Sequence, residues 1–165
     1  MTSPSVPTTA AHNAPGFALS AASTQRATGV ARVGALCLAI GAGTILALAS
    51  SLTPSPEGHA THLALGLPPC GWVVSFGRPC PTCGMTTAFA HVAHGQLLAA
   101  FVTQPFGAVL ACVMGIVGWG ALHVAATGSM LGHAVAQMLT RRVVWSLVAF
   151  FVASWIYKIL TFNLT

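Results

Sequence analysis

The stretch VGALCLAIGAGTILALASSL, residues 33–52, decides the fold: twenty residues without one charge. At about 1.5 Å of rise per residue such a helix is roughly 30 Å long, the thickness of a bilayer's hydrocarbon core. Ala35, Ala39, Gly43 and Ala47 recur in it at i, i+4, a ridge of small side chains that lets another helix approach closely. Ala47-Leu48-Ala49 also fits the small-residue cleavage pattern of a signal peptide. More than 30 residues precede the run, long for the leading region of a signal, so a retained span is the expectation.

The rest of the chain agrees. Of 165 residues, 55% are apolar and 4% charged, against about 25% charged in a soluble domain. Glu57 is the sole carboxylate, and no charge occurs between Pro79 and Thr140, a run of 62 residues. That inventory excludes a soluble globular enzyme, acid–base chemistry by paired carboxylates and any Ser/His/Asp grouping. Nucleic acid is excluded as a partner too: the basic residues Arg26, Arg32, Arg78, Arg141, Arg142 and Lys158 are dispersed, and such binding needs a clustered basic face. The lipid bilayer is the expected partner, with other membrane proteins beside it.

The pattern predicts an all-α integral membrane protein with about three transmembrane helices, near 33–52, 106–126 and 143–160, and one short interfacial or re-entrant helix. Residues 1–32, rich in Ser, Thr, Ala and Pro, read as a disordered cytoplasmic lead, and 33–165 as a single membrane domain. Within 53–105, prolines 54, 56, 68, 69, 79 and 81 forbid a continuous helix through the first half. From Pro81 to about His94 breakers are absent apart from Gly84, which predicts the short helix. Pro105 suits a first helical position, with Thr103 or Gln104 as its cap. Thr127 to Arg142 reads as a polar loop. Trp119, Trp145, Trp155 and Tyr157 fall near span ends, where amphipathic rings settle. Arg26 and Arg32 before the first span, and Arg141 and Arg142 before the third, put one side in the cytoplasm by the positive-inside rule. The segment 53–105 is then extracytoplasmic.

That segment carries Cys80-Pro81-Thr82-Cys83, a C-x-x-C pair. Placed at a helix start, Cys80 would meet unpaired N–H groups and the positive end of the helix dipole, which favour a thiolate. Thiol–disulfide exchange needs this arrangement: Cys80 attacks, Cys83 resolves, and Cys70, ten residues upstream, is a possible partner. Cys112, about a turn and a half into the second span, could bring a fourth thiol to the same interface; Cys37 stands apart. A structural disulfide, or a buried pair of small residues, is the competing reading. Metal binding through Cys80, Cys83, His91 and His94 ranks third. Cys83 and His91 are eight residues apart, about 12 Å on a straight helix, whereas zinc ligands sit about 2.0–2.3 Å from the ion. His59, His62, His123 and His133 read as solvated or interfacial. Nothing in the sequence points to a cofactor.

Cys80-Pro81-Thr82-Cys83-Gly84-Met85-Thr86, followed by His94-Gly95 and Pro105, resembles the small bacterial membrane proteins grouped as domain of unknown function 2752. Their pattern is similar: Cys-Pro-x-Cys-Gly-x-Thr, a His-Gly pair, then a proline opening a hydrophobic span. Leu67-Pro68-Pro69-Cys70-Gly71 also looks like some members, and the likeness covers about residues 67 to 120. Many members have Arg where this chain has Thr87, and Asn where it has Gln104. The resemblance implies a bacterial membrane location and brings no established activity. The residues themselves favour a membrane thiol–disulfide or thiol-dependent accessory protein. The alternative is a structural or assembly subunit of a membrane complex, its C-x-x-C motif stapled or buried.

Overall fold

A computed structural model describes residues 27–129 and 140–162. The N-terminal lead, most of the loop expected over 127–142, and His133 lie outside the described residues. Three long helices carry the architecture: α1 (Gly29–Ser51), α5 (Pro105–Thr127) and α6 (Arg141–Phe162). Each is long and apolar enough to cross a membrane. Between α1 and α5 the chain folds through a 3₁₀ turn (Thr61–Leu65) and three short helices, α2 (Gly71–Phe76), α3 (Met85–Ala93) and α4 (Leu97–Thr103). No strand occurs among the described residues. The protein is an all-α membrane protein, as its composition implies.

The helix ends follow local chemistry. Thr28 accepts from Ala31 N, so α1 begins at Gly29 and takes Arg32 into its first turns, ahead of the expected start. Gln104 Oε1 accepts from Gly107 N at 2.7 Å and Pro105 occupies the opening of α5, satisfying and omitting orphan donors respectively. Gly128, at φ +72°, ends α5 in the left-handed conformation that glycine adopts without a Cβ penalty.

Helices α1 and α5 run antiparallel and close together. A Cβ at Gly118 would lie 3.0 Å from that of Ala42, and one at Gly115 would lie 3.8 Å from Leu46. Further along, Ala49 and Ala111 pack with Phe89 of α3. The buried face of α1 thus passes through Ala42 and Ala49, with Leu46 partly buried between them, while Gly43 and Ala47 of the expected ridge are exposed. A spacing alternating between four and three residues keeps a straight seam on a helix of 3.6 residues per turn; strict fours drift round it. At the far end Arg32 donates to the carbonyls of Ala125 and Ala126 at 2.8–3.2 Å, serving groups that α5 leaves unpaired at its C-terminus. Large side chains such as Ile40, Leu48, Ile116 and Ile156 point outward. Alanine and glycine inside with bulky aliphatics outside is the arrangement that lipid favours, since lipid offers no hydrophobic penalty and close packing alone associates the helices.

The short helices fill the end of this pair opposite Arg32. Ala88 of α3, Ala100 of α4 and Ala108 of α5 meet with no exposed surface. The C-terminal half of α6 lies beside the start of α5: Phe106 packs against Phe150 and Phe151, and its N–H donates to Ser154 Oγ at 3.1 Å.

Candidate functional site

The C-x-x-C motif does not open a helix. Residues 81–84 form consecutive turns, closed by Cys83 N to Cys80 O and Met85 N to Thr82 O, both 3.0 Å. Gly84 stands at φ +86°, so the helical conformation starts only at Met85, four residues beyond the expected start. Cys80 therefore lies in a turn and meets Thr82 Oγ1 at 3.3 Å rather than a helix N-terminus.

Three side chains surround this turn. Trp155 Nε1 of α6 donates to Pro79 O at 3.2 Å, and Gln104 Nε2 donates to Pro81 O at 3.2 Å. Lys158 Nζ, also from α6, donates to Gly58 O at 3.0 Å and Thr103 O at 3.2 Å. A Cβ on Gly84 would sit 2.7 Å from Gly58 O and 3.3 Å from Lys158 Nζ, so only glycine fits between the two segments. Thr87, where the family resemblance implies a cation, instead shares a 2.8 Å hydrogen bond with Thr61 in a buried position. Lys158 brings positive charge to the motif from another helix.

Cys70, Cys80 and Cys83 come together there, and all five cysteines carry free thiols. Cys70 precedes α2 and is partly exposed. It closes no cap hydrogen bond, yet the N–H of Val73 lies near enough to favour its thiolate. The Cys80 thiol and the N–H groups of Trp72 and Cys80 add to that effect and outweigh partial burial, holding the Cys70 thiol below its ordinary range. Cys83 is the opposite case. It is 6% exposed, and burial pushes its thiol up to about 11, with Cys80 and Cys70 adding repulsion and Lys158 opposing them. Cys112 is not among the groups acting on Cys83, and Cys37 lies exposed on α1. Of the up to four thiols expected to gather, Cys70, Cys80 and Cys83 act on one another.

The histidines stand elsewhere. His91 Nδ1 and Gln96 Oε1 are 2.7 Å apart, and His94 Nδ1 donates to Ala90 O at 2.7 Å. Among the described residues no group of three or more His, Cys, Asp or Glu side chains could hold a metal ion. The sequence pointed to the cysteines but not to Lys158, Trp155 or the contact of Gln104 with Pro81. One signal was available: a lysine inside an apolar span is costly unless it has partners, and so marks a site.

Fold and site together define a small helical membrane protein in which three cysteines gather at a turn close to a buried lysine. The family model described as "Protein of unknown function (DUF2752)" matches residues 70–118, from Cys70 to the glycine that meets Ala42. No curated protein and no solved structure matches.

Proposed function

We propose that the turn is a thiol–disulfide exchange site of a cytoplasmic-membrane protein, facing away from the cytoplasm. The observation that carries this reading is three free thiols in one cluster, graded from a partly exposed thiol of lowered proton affinity to a buried one of raised affinity. Exchange needs an accessible thiolate to attack and a second thiol to resolve. Cys70 attacks one sulfur of a partner's disulfide, and the partner's other sulfur leaves as a thiolate. Cys80 then displaces the first partner sulfur, closing Cys70–Cys80. The two protons from Cys70 and Cys80 end on the partner's two thiols. Attack by Cys83 on Cys80 moves the bond inward to Cys80–Cys83 and frees Cys70. The role foreseen for Cys80 as first attacker passes to Cys70, the resolving role foreseen for Cys83 passes to Cys80, and Cys83 takes the bond over last, its proton going to Cys70.

The extracytoplasmic placement follows from the positive-inside rule applied to Arg26, Arg32, Arg141 and Arg142. An assembly subunit is the second reading, favoured by a shallow apolar groove between α1 and α5 in which Ala39, Gly43, Gly115 and Gly118 lie among larger apolar residues such as Leu36, Ile40 and Trp119.

Equilibration of the full chain in detergent with thiol/disulfide buffers, acid quenching and alkylation resolved by cysteine decides between them. Exchange predicts a disulfide among Cys70, Cys80 and Cys83 whose fraction follows the buffer potential, and near neutral pH a Cys70 alkylated well before Cys83. A cluster that keeps one oxidation state at every potential short of unfolding leaves the assembly reading.

A further inference from the structure

Lys158 is 6% exposed in the C-terminal half of α6, yet no carboxylate among the described residues faces it. Glu57, the chain's sole acidic side chain, is exposed and lies 3.6 Å from His59. An ammonium carries three donors, and the two hydrogen bonds of Lys158 go to the carbonyls of Gly58 and Thr103. A buried charge without an opposite charge is costly, and carbonyl dipoles compensate only part of it. The acidic group that senses this ammonium is the Cys83 thiol. Gly84 makes the approach possible, since a Cβ there would stand 3.3 Å from both Cε and Nζ of Lys158.

Resting on the exchange reading above, we propose that Lys158 is a positioning residue of the thiol site: it pins the Gly58 and Thr103 carbonyls beside Gly84 and holds the positive charge that a thiolate released at Cys83 requires. The chemistry explains why such a charge is needed. When an incoming thiolate attacks Cys80 of a Cys80–Cys83 disulfide, a bond forms to Cys80 and the electron pair of the broken bond stays on Cys83. A leaving thiol of high proton affinity leaves slowly. Burial alone makes Cys83 such a group, and the ammonium opposes burial at that sulfur. The other titratable groups around the pair are Cys70 and Cys80 on the thiol side, and His59, against the ring of Phe162, on the other.

The test compares Lys158→Met and Lys158→Arg in the full chain, by pulsed alkylation resolved by cysteine across pH 7–9 (an interval of about two around the ordinary thiol range). Below its midpoint the rate at Cys83 is proportional to its thiolate fraction, so a pKa higher by one slows alkylation about tenfold. Loss of the charge slows Cys83 about tenfold at every pH, with Cys37 and Cys112 unchanged as internal references, and Arg restores most of the rate. An unchanged Cys83 rate in a folded Met variant overturns the proposal, whether or not the thiols exchange; a slowed Cys83 with no redox response overturns the exchange reading instead. If the Met variant unfolds, all five cysteines accelerate together, and Lys158→Gln, which retains donors for the carbonyls, takes its place. Unfolding of the Gln variant as well reduces Lys158 to a clamp on the backbone and counts against the proposal.

Discussion

Cys70 and Cys83 sit within one cluster and bind their protons differently, because helix N–H groups face the first and packed side chains enclose the second. The difference has a sign for stability. A thiol whose proton affinity is raised in the folded chain stabilises the fold while protonated; that contribution is complete below the ordinary thiol range and disappears as pH climbs toward about 11. The protein should therefore lose stability across that alkaline interval, and Cys83→Ser should lose less of it, measured as the change in thermal midpoint with pH. A wild type and Ser variant that decline in parallel would show that Cys83 is not the group responsible. At this scale the motif was legible in the sequence and the backbone setting of Cys80 was not. The spacing of Cys80 and Cys83 is local, but the helix start assigned to Cys80 is cancelled by the left-handed Gly84, whose conformation is fixed by Gly58 and Lys158 across the fold.

Among the elements, the start of α5 is the best determined. Gln104 is fully buried, and its two amide atoms work in opposite directions: Oε1 caps α5 at Gly107, and Nε2 holds Pro81 O. Gln104→Ala removes a cap worth about 0.5–2 kcal/mol and strands a carbonyl whose lost partner costs about 1–3 kcal/mol if it stays dry. We expect a stability loss of roughly 2–4 kcal/mol together with faster alkylation of Cys83, both readable in one chemical unfolding series. A loss confined to stability would mean that the thiol turn keeps its place without Gln104. The Gln104–Pro105 boundary could be read in advance because capping is a transaction between neighbours in sequence. Helices α2 and α4 and the 3₁₀ turn escaped such reading: each spans only five to seven residues, too few for a hydrophobic period to show, and α4 owes its place to Ala100 packing on Ala88 and Ala108. The long helices were legible because a span is a matter of length and charge, although the seam that α1 presents to α5 was legible only in part.

For the molecule as a whole, the antiparallel pairing of α1 with α5 brings Arg32 to the same end as Ala125 and Ala126, in keeping with both belonging to one side of a membrane. Reporter fusions after Thr103 should register the outer compartment and fusions after Thr140 the cytoplasm; the reverse pattern would place the thiols in a reducing environment and remove the basis for exchange. The clasp of α6 over the cysteine turn has a temporal side. Trp155 reaches back 76 residues to Pro79, and Lys158 reaches back 100 residues to Gly58. A ribosome adding about 5–20 residues per second needs on the order of ten seconds to cover such distances. The thiols thus emerge without that cover and stay so until α6 is made. A chain stopped before α6 lacks the Trp155 hydrogen bond to Pro79 and leaves the Gly58 and Thr103 carbonyls without the lysine.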